Sequence, residues 1–60
     1  MLLQNIKALC KAQGISLAEL EIKAGLPPRT IYRWDSVLPS YDKVVKVAKA
    51  LGTTVEALTL

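Results

Sequence analysis

The stretch SLAELEIKAGLPPRTIYRW, Ser16 to Trp34, decides the reading of the chain. It opens on Ser16 with Glu19 three residues later. This is a capping box, in which hydroxyl and carboxylate each accept an N–H that the helix start leaves unpaired. Leu17, Leu20 and Ala24 then recur at helical spacing, and Gly25 stands where that helix must stop. Glycine takes the positive φ of a left-handed C-terminal cap without a Cβ clash. A second helix is predicted to start at Pro28, since proline at the first helical position loses no hydrogen bond. Ile31 and Trp34 are spaced to face inward, leaving Arg29, Tyr32 and Arg33 to point elsewhere. Arg29 and Arg33, one α-helical turn apart, are expected to share an outward stripe. Ala24 is small enough to let two short helices meet at a steep angle.

Outward from this unit the chain keeps the same grammar. From Leu2 to Gln13, Leu2 or Leu3, Ile6, Leu9 and Cys10 form one apolar stripe, with Lys7 and Lys11 opposite. Gly14 closes that segment. Asp35 to Ser40 reads as a loop, with Val37 and Leu38 expected to plug the core. After Pro39 and Ser40, the positions Tyr41, Val44, Val47, Ala48 and Leu51 follow a helical period up to Gly52. A short fifth helix is expected from Thr53 or Thr54, with Thr53 and Glu56 as a second capping box and Val55, Leu58 and Leu60 as apolar contacts. No segment shows the alternation of a strand. The fold class read here is all-α, five helices joined by short turns.

Composition narrows the function classes. The chain has 60 residues, 52% of them apolar, which fits one domain over residues 1–60 with a radius of gyration of about 10 Å. One cysteine and no histidine leave no ligand set for structural zinc and no Ser–His or Cys–His pair. Cys10 reads as a small core residue, and Asp35 and Asp42 lack an acid–base partner arrangement. No catalytic residue, metal or cofactor is assigned, no small-molecule ligand is evident, and the chain reads as a non-enzyme. No apolar run approaches the roughly 20 residues that span a membrane, and no signal-peptide pattern appears, so a cytoplasmic protein is expected. Eight Lys and Arg against five Asp and Glu give a net charge of +3, a weak lean towards a polyanion.

Two short helices around a glycine turn form the helix-turn-helix arrangement, whose second helix enters the DNA major groove. The whole chain resembles the phage-repressor family of such domains, the lambda-type repressors and Cro proteins. The resemblance is carried by NIKALCKAQGISLAEL, AGLPPRTIYRW and VVKVAKALGTTVEAL, with Leu20, Ala24, Gly25, Leu26, Thr30, Ile31 and Trp34 as its specific positions. It implies a compact five-helix domain that binds double-stranded DNA. It also implies a repressor of phage or prophage type, acting by occlusion at a near-palindromic operator in a bacterial or phage-infected cell. Three departures stand out. Leu17 replaces the usual glutamine that clamps a phosphate. Glu21 replaces a small alanine, so its longer side chain is expected to turn outward. Pro27 and Pro28 replace polar residues at the start of the recognition helix.

Carried over residue by residue, the resemblance makes Pro28, Arg29, Tyr32 and Arg33 the candidates for base contact. Arginine donates two hydrogen bonds to guanine, and Pro28 can pack on a thymine methyl. Tyr32 is equally open to a phosphate, a base or the protein's own surface. Ser16, Leu17, Thr30, Ser40 and Lys43 are the phosphate candidates. At Ser16 and Leu17 the donors are backbone N–H groups, and Ser40 and Lys43 stand at a helix N-terminus that favours an anion. Thr30 has a second role open, support of the helix's first turn. Trp34 reads as core or hinge packing, with its indole N–H open to a phosphate. The fifth helix implies a weak homodimer through Val55, Ala57, Leu58 and Leu60. The rival reading is a protein-interaction module on the same fold, such as an antitoxin or adaptor subunit.

Overall fold

A computed structural model describes residues 2–59. Helix α1 (Leu2–Gln13) turns Leu3, Ile6 and Cys10 into the core, as their spacing requires. Helix α2 (Leu17–Ala24) starts at the expected capping box. The Ser16 hydroxyl accepts the Glu19 N–H and the Glu19 carboxylate accepts the Ser16 N–H, both at 3.1 Å. Ser16→Ala is expected to cost about 1 kcal/mol, seen in thermal melts as a fall of roughly 4–8 °C in Tm. A 3-10 helix (Ile31–Asp35), α3 (Tyr41–Leu51) and α4 (Val55–Thr59) complete the chain.

The three longer helices end alike. The N–H groups of Ile15, Leu26 and Thr53 reach back to the carbonyls of Cys10, Glu21 and Ala48 at 3.0, 2.9 and 2.9 Å. This is the six-to-one closure that needs a left-handed residue between helix and donor. At Gly25 that φ is 73°, and an added Cβ would meet nothing within 4 Å. Glycine supplies conformational freedom there, not room.

Among the described residues, five large side chains are fully buried: Ile6, Leu20, Ile31, Val47 and Leu58. Each of the five helical elements contributes one of them, so every element is anchored at a common centre. Two polar ties close the periphery. Asn5 Nδ2 donates to the Leu58 carbonyl and Gln13 Nε2 to the Leu51 carbonyl, each at 2.7 Å. Both acceptors sit near helix C-termini, where carbonyls lack intrahelical donors. Cys10 is buried as expected, and burial pushes its thiol above the ordinary value. The radius of gyration is 10.0 Å. No helix among the described residues is long and apolar enough to cross a membrane.

The structure corrects four local expectations. The third helix does not begin at Pro28, and it is a 3-10 helix beginning at Ile31. Val37 and Leu38 do not plug the core but are 56% and 95% exposed. The Val37 N–H closes on the Arg33 carbonyl at 2.8 Å, and both side chains then line a surface hollow beside Trp34. Tyr41 is also exposed. At the first position of α3 its side chain leans back past the helix start, beyond the last core layer. The cap of α4 is Thr54, whose hydroxyl accepts the Ala57 N–H at 3.1 Å. Its partner three residues on is an alanine, so no reciprocal carboxylate bond forms.

Candidate nucleic-acid interface

Residues Pro27 to Thr30 form a β-turn. The Thr30 N–H donates to the Pro27 carbonyl at 3.3 Å, and the Thr30 hydroxyl donates to the same oxygen at 2.7 Å. Proline at the second position and positive φ at the third are the type II pattern. The third residue is Arg29, at φ 67°. A side chain held in the left-handed region carries strain of about 1–3 kcal/mol, where glycine would carry almost none.

Glu21 holds this turn. Glu21 is only 3% exposed, and its carboxylate accepts two backbone N–H groups, Arg29 at 3.0 Å and Ile31 at 2.9 Å, one on each oxygen. A side chain from α2 thereby caps the next helix across the turn, and its negative charge suits that helix's positive end. Glu21 therefore turns inward, against the expectation drawn from the family's alanine. The sequence did hold a signal: Leu17, Leu20, Glu21 and Ala24 make the i, i+3, i+4, i+7 pattern of a buried face. A carboxylate inside such a stripe must find donors, because burying it unpaired is costly.

The change of helix type rearranges the recognition side chains. In a 3-10 helix, positions three apart eclipse one another, whereas positions four apart diverge by a third of a turn. Ile31 and Trp34 make the inward pair. Arg33 lines one hollow with Thr30, three residues before it, and Tyr32 lines another with Arg29, which precedes the helix in the turn. Arg29 and Arg33 accordingly do not share one stripe. Arg33 lines a hollow of about 360 Å³ with Pro28, Thr30, Ser40 and Lys43. Arg29 and Tyr32 line a second one, of about 440 Å³, with Pro28, Ala18 and Glu21. Pro28 is the ridge between them.

The first hollow thus gathers five of the sequence candidates from the turn, the 3-10 helix that follows it and the start of α3. Arg33 and Lys43 are exposed and bring two positive charges to it. Ser40 is the N-cap of α3 without a side-chain cap bond, which leaves its hydroxyl outside the helix's own bonding. Thr30 lines the same hollow, but its proton is engaged by Pro27. Ser16 and Leu17, at the start of α2, line neither hollow. Ser16 is exposed, while Leu17 is half-buried against the core.

In α4, Val55 and Ala57 are half-buried, and Val55 packs on the core. Leu58 is 0% exposed and belongs to the core of this chain, so it has no surface to offer a second copy. Leu60 lies outside the described residues. The sequence reading also missed Val37 and Leu38 as walls of the first hollow. No periodic signal marks them, since a loop residue's direction follows from the turn before it. Among the described residues no group of three or more His, Cys, Asp or Glu could hold a metal ion.

A family model for helix-turn-helix proteins matches residues 6–58, nearly the whole chain. No curated protein and no solved structure matches it.

Proposed function

From the premise that this chain belongs to the helix-turn-helix family, we propose that it is a sequence-specific regulator of the lambda repressor and Cro type. DNA binding, generally in the service of transcription, is what that family supports. The finer reading is a repressor of phage or prophage origin acting inside the cell. It occludes polymerase at a near-palindromic operator, to which it binds as a weak homodimer. Arg29, Tyr32 and Arg33 face the bases, with Pro28 against a thymine methyl. Lys43, Ser40 and the backbone N–H groups at the start of α2, near Ser16 and Leu17, face phosphates. Val55, Ala57 and Leu60 are the residues assigned to the dimer contact.

One observation carries this reading: the hollow shared by Pro28, Arg33, Ser40 and Lys43. It sets a guanidinium able to fork onto a base beside a hydroxyl and an ammonium suited to phosphate. Phosphate contacts fix register and base contacts give preference, so a surface needs both side by side. Selection from a randomised duplex pool at about 0.15 M salt tests the reading. Enrichment of a palindromic motif is expected, and recovery of DNA with no motif overturns it. Within that motif, Arg33→Ala is expected to weaken binding by about 1–3 kcal/mol and relax one base position. A loss equal on all duplexes assigns Arg33 to phosphate instead.

The exposure of Ile22, Leu38 and Tyr41 favours a second reading, a protein-interaction module. Reversing the charge of Arg29 and Arg33 separates the two. A protein partner held elsewhere stays bound, whereas DNA is released.

A further inference from the structure

We propose that Glu21 is a positioning residue for DNA sequence preference: it holds Arg29 in its left-handed conformation and so sets where Arg29 and Tyr32 present to the bases, without touching DNA itself. The inference rests on the DNA-binding reading above and names the device that makes the recognition segment specific.

The argument starts from the turn. Arg29 at φ 67° is the one residue other than glycine with positive φ among the described residues. Arginine does not choose that conformation in an open turn, where negative φ is favoured. It stays there because its N–H and the Ile31 N–H, two residues on, are both fixed by one buried carboxylate. Two donors on two oxygens of a planar group set the orientation of the chain as well as its position. The carboxylate itself is anchored by α2, whose Leu20 is fully buried one residue away. The start of the recognition segment is thus locked to the scaffold before DNA arrives. Such preorganisation favours binding by cutting the ordering cost that a loose arginine incurs at the interface.

Tyr32 follows from the same lock. It succeeds the fixed Ile31 N–H and lines one hollow with Arg29 and Glu21. Arg33 stands on the other flank, beside residues of α3. Loss of the Glu21 bonds therefore acts on one half of the reading surface and spares the other.

Glu21→Gln is the test. The amide keeps the volume, but its one oxygen serves one N–H while its NH2 group confronts the other, donor against donor. Arg29 is then free to relax from φ 67°. In selection from a randomised duplex pool, Glu21→Gln is expected to relax the same base positions as Arg29→Ala, although the arginine is still present. Affinity for the wild-type motif falls about tenfold, while affinity for random duplex stays within about twofold, since phosphate contacts dominate it. Preference at the position that Arg33→Ala relaxes is retained. Amide exchange in the free protein reports the lock directly: exchange at Arg29 or Ile31 rises by more than the general rise that the variant's lower stability imposes on α1 and α3.

An unaltered motif in Glu21→Gln, or an equal loss on every duplex, overturns the positioning role while leaving DNA reading intact. Absence of any motif for the wild type instead removes the DNA reading, and the inference with it. If Glu21→Gln does not fold, Glu21→Asp takes its place: both carboxylate oxygens remain, but on a side chain one methylene shorter that reaches the Arg29 and Ile31 N–H groups less well. The base positions relaxed by Arg29→Ala are again expected to relax, and an unaltered motif in a folded Glu21→Asp overturns the positioning role.

Discussion

Glu21→Ala is expected to destabilise the chain by about 3–6 kcal/mol, the value of two hydrogen bonds to a charged acceptor at about 1.5–3 kcal/mol each. The Arg29 and Ile31 N–H groups both lose their carboxylate acceptor, and the Ile31 bond is buried. For 60 residues the whole stability is about 3–9 kcal/mol, and small single cores sit towards the low end. The variant is thus expected to be partly or wholly unfolded at 25 °C. Far-UV circular dichroism with urea titration checks it. A midpoint within experimental error of the wild type would mean that the carboxylate is dispensable and that water serves the two N–H groups equally well. Glu21→Gln retains one acceptor and is expected to fall between the two. That ordering, wild type above glutamine above alanine, is the signature of a cap and not of simple packing volume.

Trp34→Ala is expected to cost about 3–5 kcal/mol, the usual range for removing a large aromatic from a core. Trp34 is 8% exposed and, with Ile31, forms the inward pair that seats the 3-10 helix. A 3-10 helix of five residues has poor hydrogen-bond geometry and little stability of its own. Those two side chains hold it in the core, and Glu21 caps its first N–H. The loss is comparable to the whole stability of a chain this small, so the variant is expected to be largely unfolded at 25 °C. Trp34→Phe keeps most of the apolar area and is expected to fold with a lowered Tm. Because Trp34 is the single tryptophan, its fluorescence in the wild type follows the recognition segment alone. Coincident fluorescence and circular dichroism transitions are expected if that segment melts with the core. An earlier fluorescence transition would show that it opens on its own.

These expectations separate what local sequence encodes from what it does not. The starts and ends of α1, α2 and α3 were legible because their signals act within four or five residues. Ser16 and Glu19 meet across one turn. Gly25 and Gly52 supply the φ that the closing bonds of Leu26 and Thr53 require. The apolar stripes likewise named most of the core, including Ile6, Leu20, Ile31 and Val47. Among the site candidates, the family pattern named Arg33, Ser40 and Lys43 in separate roles, and one hollow brings them together.

The recognition segment was misread for a physical reason. Proline at residue 28 is compatible with both a helix start and the second position of a type II turn. Nothing within four residues chooses between them. The choice is made by Glu21, whose bonds span eight and ten residues. Leu58 shows the same limit: its spacing marks it as apolar, but only the packing of α1, α3 and α4 turns it into the core and away from a partner. Val37 and Leu38 face outward because a turn aims them there.

By itself, then, the amino-acid sequence determined the all-α class, the limits of α1, α2 and α3, the apolar stripes and the helix-turn-helix resemblance, since capping and periodicity are local interactions. Only the tertiary structure decided the 3-10 geometry of the recognition segment, the left-handed Arg29, the inward carboxylate of Glu21 and the division of the two arginines between separate hollows. Each depends on donors and acceptors that become neighbours only when α2 and the recognition segment pack together.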